Sequence, residues 1–173
     1  MVNKRLSDNI YIDLYTKNSL WKKYNAVINT ATLHEIVDFT INKVGFNTRA
    51  TKVELSIMLI DNGAIKKYNL QYRNKDKPTN VLSFPTEELI AEQYDNIKNL
   101  EYIHLGDALF AIETIIREAE EQNKGFKDHF THLLVHALLH LLGFNHTDEK
   151  EAIKMEQFEI EILKNFNINS PYE

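Results

Sequence analysis

The stretch of sequence that decides the fold covers residues 126–146 and reads FKDHFTHLLVHALLHLLGFNH. Apolar residues occupy most of the circumference of a helix that we predict over about 126–142, which is typical of a helix packed inside a domain. His136 and His140 are four residues apart with no helix breaker between them, so they lie about 6 Å apart on one helix face. The stretch therefore predicts a core helix with two convergent imidazoles.

A third histidine completes a metal-binding pattern. Gly143 can adopt the left-handed conformation that ends a helix, and the chain can then turn back and bring His146 to the same point. A single histidine on an apolar helix is more often a hydrogen-bonded core residue than a ligand, so the prediction depends on the spacing of all three. Three neutral imidazoles leave a tetrahedral ion one open position, as in catalytic rather than structural zinc sites. We predict that His136, His140 and His146 bind one metal ion that assists hydrolysis.

Two further histidines precede this group on the same stripe of the helix. His129 and His132 continue the pattern, with spacings of three, four and four residues from His129 to His140. We interpret both as residues that support the ligands, face the substrate or lie at the polar edge of the helix.

Composition limits the class of protein. The 173 residues are 43% hydrophobic, which is enough for one core, and we expect a single domain over 1–173. The absence of cysteine excludes disulfides and thiolate metal sites. No apolar segment approaches the roughly 20 residues of a membrane span, and the first residues, MVNKRLSD, lack the apolar core of a signal peptide. We expect a soluble cytoplasmic protein that does not bind membranes.

The hydrophobic periodicity predicts an α/β (α+β) fold with a single mixed four-stranded sheet flanked by about five helices. Strands are predicted at about 9–15, 52–60, 80–84 and 102–110, the last interrupted by Gly106. Helices are predicted at about 20–44, as one long or two short helices, and at 64–72, 111–122, 126–142 and 148–165. Residues 86–100 are acidic and irregular, and we interpret them as a surface excursion. The last helix has Thr147 and Asp148 as cap candidates and an apolar stripe suited to core packing, formed by Met155, Phe158, Ile162 and Phe166.

The formal charge of -5 and pI near 5.8 do not favour general nucleic-acid binding, so any such binding must be local. Residues 66–78 supply a local basic segment, with one carboxylate, Asp76, among five cations: Lys66, Lys67, Arg73, Lys75 and Lys77. Arginine offers two parallel donors to phosphate oxygens, so Arg73 is the best candidate for gripping a scissile phosphate. The lysines could hold flanking phosphates, but for Lys66, Lys67 and Lys75 we favour an ordinary solvated side chain.

The absence of a glutamate after the first histidine helps to distinguish a protease from a nuclease. The spacing of the three histidines and Gly143 is that of the metalloprotease pattern HExxHxxGxxH, in which the glutamate is the general base. Ala137 takes that position here. Phosphodiester cleavage depends less on such a base than on charge stabilisation and on a metal-bound water whose pKa is lowered. We therefore favour a nuclease and keep a zincin-like metalloprotease as the alternative.

The histidine segment, residues 72–85 (YRNKDKPTNVLSFP) and Leu105-Gly106-Asp107 together resemble the YbeY family of bacterial endoribonucleases. The resemblance covers about residues 52–166. It implies a single-domain α/β fold, a zinc ion on His136, His140 and His146, and cleavage of single-stranded RNA with Arg73 in catalysis beside His136 and His140. It also implies a role in ribosomal RNA maturation, notably at the 3′ end of the small-subunit 16S RNA, and in ribosome quality control. RNA and the ribosome or its small subunit are then the expected partners, and DNA is not.

Two positions depart from the family pattern. Ala137 and Asn145 stand where the family commonly has glycine and aspartate, and Asn145 removes a carboxylate beside the metal. Other carboxylates in these motifs could act as a base or orient a histidine, namely Asp76, Asp107, Asp148 and Glu149. A second alternative is a non-catalytic ribosome-assembly factor with a structural metal. A site of three imidazoles would also take nickel, cobalt or copper instead of zinc.

Overall fold

The computed structural model describes residues 7–46, 51–97 and 99–172. The strands are β1 (Ile10–Thr16), β2 (Lys52–Ile60), β3 (Val81–Pro85) and β4 (Tyr102–Ala111). The α-helices are α1 (Thr30–Lys43), α2 (Asn62–Arg73), α3 (Ile112–Glu121), α4 (Phe126–Leu141) and α5 (Glu149–Asn165), and two short 3₁₀ helices cover Ser19–Tyr24 and Asp95–Ile97.

The four strands form one mixed sheet in the order β1-β2-β4-β3. β1 pairs with β2 and β2 with β4 in parallel, whereas β3 runs antiparallel to β4. The predicted fold class, a mixed four-stranded sheet with about five helices, is confirmed. The predicted helix over 20–44 is resolved as a 3₁₀ turn followed by α1, because the Asn29 side chain accepts a hydrogen bond from Thr32 N and starts a new helix there.

The main core lies between the sheet and the helices α1 and α4, and α5 adds buried residues to it by packing against those two helices. β2 alternates fully buried residues with partly exposed ones, since Val53, Leu55 and Ile57 point to one face. α4 packs against α1, α3, α5, β3 and β4, and its Leu134, Val135 and Leu138 are fully buried. Its central place explains why its sequence is apolar around most of the helix.

A smaller cluster fills the opposite face of the sheet beneath α2. Ile60, Ile65, Leu82 and Leu109 are buried there. α2 is therefore held at the β3 and β4 side of the sheet, so its C-terminal end meets the end of β3.

A bulge interrupts β4 at the predicted position. Glu54 pairs with His104 but Ser56 pairs with Asp107, so β4 carries one extra residue there. Gly106 has φ +134°, and a Cβ at this position would lie 2.1 Å from the Phe84 carbonyl oxygen. Only glycine allows β3 to approach β4 this closely.

The segment predicted as a surface excursion is partly buried. Tyr94 and Ile97 are 6% and 7% exposed, and the Tyr94 hydroxyl donates to Leu142 O at 2.8 Å. The 3₁₀ turn follows Tyr94, with Ile97 N donating to Tyr94 O at 3.2 Å, and both side chains belong to the main core. The interpretation as a mere excursion is wrong for this part of the segment, and residue 98 lies outside the described residues.

α5 has the predicted cap and core stripe. Asp148 accepts a hydrogen bond from Glu151 N at 3.0 Å, and Met155 and Ile162 are 2% and 0% exposed. In the part of the chain that the structure describes, no helix has the length and apolar character needed to cross a membrane. Residues 1–6, on which the expectation about a signal peptide partly rests, lie outside that part.

Candidate metal centre

The three predicted ligands meet at the C-terminal end of α4. Their ligand atoms all lie within 4.8 Å of one another, and His136 Nε2 and His140 Nε2 are 3.1 Å apart. His136 and His140 are partly buried on the helix, whereas His146 is exposed in the loop that follows. The structure thus brings together all three histidines that spacing had selected.

Gly143 turns the chain back toward the site. Its φ is +89°, and an added Cβ would lie 2.2 Å from the Leu89 carbonyl oxygen. The reversal is closed by hydrogen bonds from Gly143 N to His140 O at 3.1 Å and from Phe144 N to Leu139 O at 2.9 Å. Both the backbone conformation and the contact with Leu89 require glycine.

The hydrogen bonds of the two helical histidines determine which nitrogen is free. His140 Nδ1 lies 3.0 Å from Phe144 O, which can only accept, so Nδ1 carries the proton. His136 Nδ1 donates to Glu159 Oε1 at 2.6 Å. An imidazole that carries its single proton on Nδ1 has its lone pair on Nε2.

These two lone pairs face each other at 3.1 Å. Two acceptors at this distance repel unless a cation lies between them. Zn–N bonds of about 2.0–2.1 Å place neighbouring nitrogens about 3.3 Å apart in a tetrahedral site. The donor set and its spacing fit a divalent ion bound by imidazoles.

Glu159 of α5 fixes the orientation of His136 from the side away from the ligand nitrogen. It is fully buried and also lies 3.4 Å from His132 Nε2, and it accepts a hydrogen bond from the Tyr172 hydroxyl. Burial alone would raise the pKa of Glu159, but hydrogen bonds from His132, His136 and Tyr172 outweigh it and lower the pKa to about 2. Glu159 is therefore an anion that orients a ligand, as carboxylates do behind metal-binding histidines.

Neither Glu159 nor Tyr172 was found by reasoning from the sequence. A signal was present, because Glu159 is a carboxylate in the core-facing row of α5, four residues after Met155 and four before Leu163. A charged residue in such a row needs a buried partner. The partner lies on another helix, so the sequence does not identify it.

The environment of His140 keeps its imidazole neutral. Burial, and then the neighbouring His136 ring, lower the pKa of His140 to about 4. The neutral form is the one that can bind a metal ion, so at neutral pH this ligand needs no deprotonation.

Arg73 lies in the same cleft as the three histidines. The cleft has a volume of about 750 Å³ and is lined by the end of α2, by β3, and by the end of α4 with its following loop. Its described lining residues are Tyr72, Arg73, Thr79, Asn80, Val81, Leu82, Ser83, Phe84, Pro85, His136, His140, Gly143, Phe144, Asn145 and His146. Among these there is no aspartate or glutamate, so an arginine and three imidazoles face the cleft without a carboxylate.

The carboxylates proposed as a base do not line this cleft. Asp76 pairs with Lys66 at 3.2 Å, and Asp148 caps α5. Asp107 lies within β4, and Glu149 is exposed at the start of α5. The residue that replaces the family aspartate, Asn145, does line the cleft, and its Oδ1 accepts hydrogen bonds from the backbone and hydroxyl of Thr147.

The remaining basic and histidine candidates lie outside the ligand group. The lysines of the basic segment are exposed and do not line the cleft, namely Lys66, Lys67, Lys75 and Lys77. His129 is buried and contacts Glu118 through Nε2 at 2.8 Å, and Glu118 also accepts from Asn80 Nδ2 at 3.0 Å. His132 contacts Glu159, so it supports the candidate ligand His136 indirectly.

Comparison with known proteins gives three concordant matches. A family model described as Endoribonuclease YbeY matches residues 17–167. The Endoribonuclease YbeY of Bartonella bacilliformis is 41% identical over 163 residues, which cover 94% of this chain and 97% of that protein. The solution structure of TM1509 from Thermotoga maritima superposes with a TM-score of 0.52 at 22% identity, covering 90% of this chain and 91% of that one, and it supports the fold alone.

Proposed function

The chain belongs to the YbeY family of endoribonucleases, and on this premise we propose that it cleaves single-stranded RNA with a metal ion held by His136, His140 and His146. The observation that carries the proposal is the composition of the cleft. Arg73 and three imidazoles line it and no described carboxylate does, on a protein whose formal charge is -5. Such a cleft attracts an anion, and a phosphodiester is the anion that an endoribonuclease must bind.

Each residue of the centre has a separate task. His136 and His140 present Nε2 to the ion, and their Nδ1 protons are held by Glu159 and by the Phe144 carbonyl. These contacts hold the two rings in one orientation, so the ligand group is arranged before the substrate arrives. When bound, the ion supplies Lewis acidity and water of lowered pKa.

Arg73 stabilises the charge of the reacting phosphate. Its guanidinium can donate two parallel N–H groups to phosphate oxygens, and these bonds strengthen as negative charge grows in the pentavalent transition state. Arg73 is the last residue of α2, so a regular helix sets the position of its backbone beside the cleft.

Peptide hydrolysis is less well supported by the same contacts. Ala137 takes the position of the protease glutamate and is fully buried, and its carbonyl oxygen accepts a hydrogen bond from Ser83 Oγ at 3.5 Å. A general base for attack on a peptide is therefore not supplied from this position.

The proposal also covers the metal ion, the RNA substrate, the partner and the location of the protein. We assign zinc as the resident ion, one per chain, with nickel or another divalent ion as the alternative. The substrate is ribosomal RNA, notably the 3′ end of 16S RNA, and the chain acts with the ribosome or its small subunit in maturation and quality control. The protein is cytoplasmic, binds neither membranes nor DNA, and residues 1–173 form one domain. The family membership supports these assignments.

One experiment separates the proposal from its alternatives. Protein purified from its own host is analysed for metals and then incubated in parallel with unstructured RNA and with casein, before and after chelation. We expect zinc in stoichiometric amount, RNA cleavage that stops on chelation and returns with zinc, and intact casein. Circular dichroism of the chelated protein should be unchanged, because the metal serves catalysis rather than folding. Cleaved casein with intact RNA would point to a protease, and unfolding on chelation would point to a structural metal.

A further inference from the structure

Tyr72 exposes an aromatic ring at the wall of the cleft, directly before Arg73. Its side chain is 58% exposed although it lies among the residues that line the metal centre. Leaving most of a large ring in water forgoes the free energy that its burial would provide. Other described tyrosines are exposed to a similar extent, but among them only Tyr72 lines the cleft that contains Arg73 and the three histidines.

One side of this ring is supported by other aromatic residues. The Tyr72 ring lies 5.0 Å from the Phe84 ring, centroid to centroid, and is nearly parallel to Tyr68, at 6.4 Å and 11°. Tyr68 and Phe84 in turn pack on the buried cluster beneath α2. Tyr72 is thus anchored on one side and open on the other. Because these contacts already orient the ring, binding a ligand on its open side costs little side-chain entropy.

We infer that Tyr72 stacks on an unpaired base of the RNA, next to the phosphate that Arg73 binds. This inference rests on the proposed RNA cleavage and extends it to the choice of substrate. Nucleobases stack on exposed aromatic rings in proteins that bind single strands, and the contact is tolerant of sequence because every base has a flat face. In RNA a base and the phosphate beside it are linked through one ribose, and Tyr72 and Arg73 line the same cleft.

Stacking on Tyr72 gives a physical reason for a preference for single strands. In a duplex both faces of a base are covered by its neighbours, so the ring has nothing to stack on until the base is unpaired and unstacked. The contact forms with the substrate before reaction and is not aimed at the reacting atoms, so its loss should raise KM and leave kcat nearly unchanged.

The test compares Tyr72→Leu with Tyr72→Phe in the metal-loaded full chain. Leucine keeps an apolar side chain over Phe84 but removes the stacking face, and we expect KM for unstructured RNA to rise about tenfold. Phenylalanine keeps the ring and should restore KM to within about twofold of wild type. Tyr15→Leu is the matched control, because Tyr15 is 50% exposed but lies on β1, at the opposite edge of the sheet from β3.

A second arm uses the substrate to remove the same contact. Oligoribonucleotides with one abasic nucleotide on either side of the cleaved bond are assayed with both proteins. If Tyr72 stacks on one of these bases, its removal should weaken binding to wild type about tenfold and leave the Tyr72→Leu protein almost unaffected. Additive losses would mean that the base contacts another residue.

A third arm serves if Tyr72→Leu does not fold. Tyr72→Trp introduces an exposed indole, whereas the natural Trp21 is 1% exposed and gives a constant background. Its fluorescence should be quenched on stopped-flow mixing with RNA, before turnover, and that of Tyr15→Trp should not. An unchanged KM in folded Tyr72→Leu, or no quench in Tyr72→Trp, overturns the stacking role while RNA cleavage by wild type stands. If wild type itself does not cleave RNA, the proposed function fails first.

Discussion

Replacing Glu159 with glutamine tests the arrangement behind the metal ligands. Glu159 is fully buried and accepts hydrogen bonds from His136 Nδ1 at 2.6 Å and from the Tyr172 hydroxyl. Glutamine has nearly the same shape but carries no charge. Its amide oxygen can still accept a hydrogen bond, but its NH₂ group can only donate and would face another donor, either His136 Nδ1 or the Tyr172 hydroxyl. Two buried donors would then meet with no acceptor between them.

The size of the effect follows from the pKa of the carboxyl group. A pKa of about 2 against an ordinary value of 4.5 corresponds to about 3 kcal/mol of the free energy of unfolding. Since the folded pKa is the lower one, this contribution is fully present above pH 4.5 and is lost as the pH falls toward 2. Glu159→Gln should therefore lower the free energy of unfolding by about 2–3 kcal/mol at pH 7, and the two proteins should converge in acid.

Metal binding should weaken in the same variant. Loss of a carboxylate behind a ligating histidine typically reduces metal affinity about 10- to 100-fold. The assay is urea unfolding of the metal-free proteins at several pH values, with zinc affinity measured by competition with a chromophoric chelator. Glu161→Gln is the control, because Glu161 is on the same helix but 57% exposed and paired with Lys43, and an exposed ion pair contributes at most about 1 kcal/mol.

Glu159 and Glu161 should therefore respond differently to the same substitution. If Glu159→Gln and Glu161→Gln have the same free energy of unfolding at pH 7 and the same zinc affinity, Glu159 does not orient His136. A stability loss that persists undiminished below pH 3 would show that packing, and not the charge, is the cause.

Three other predictions concern the cleft and the turn beside it. Arg73→Ala should lose most RNA cleavage while elemental analysis finds the metal content unchanged, because the guanidinium binds phosphate and not the ion; equal activity would remove Arg73 from the mechanism. His140→Ala should lose metal and activity together and keep its circular dichroism spectrum, and retained stoichiometric zinc would contradict the ligand assignment. Gly143→Ala should lower the thermal stability more than Gly45→Ala, since both have positive φ but only Gly143 would bring a Cβ to 2.2 Å from another residue's backbone oxygen. The left-handed conformation alone costs about 1–2 kcal/mol, so equal melting temperatures would show that the chain at Gly143 relaxes freely.

Local patterns predicted the elements and the three histidines that the structure brings together. The β-branched residues of 52–60, followed by the turn signal Asp61-Asn62-Gly63, identified β2 to the residue. The ligands could be found because a helix places residues four apart on one face, and because Gly143 and His146 follow within six residues of His140. Each of these inferences depends on residues close together in the chain.

Contacts between distant parts of the chain could not be found in this way. Glu159 lies 23 residues from His136, and a pattern within α5 marks it as unusual without naming its partner. The same holds for Asn80, which shares Glu118 with His129, and for Tyr94, whose burial depends on the end of α4. We predicted Tyr94 to lie in a surface segment. The end of α4 that covers it is 48 residues away in the chain, so the local sequence carries no sign of this contact.

The sequence by itself determined which atoms could bind a metal, since the helical repeat and one glycine set the spacing of three imidazoles. Only the tertiary structure decided which nitrogens are free, because the proton on each ring is held by a group that folding brings there, Glu159 for His136 and the Phe144 carbonyl for His140. It also decided that Arg73 and Tyr72 line one cleft together with those imidazoles. The difference is physical: spacing along a helix is a property of the local chain, whereas the packing of α2, β3, α4 and α5 depends on the sheet order, which no single segment encodes.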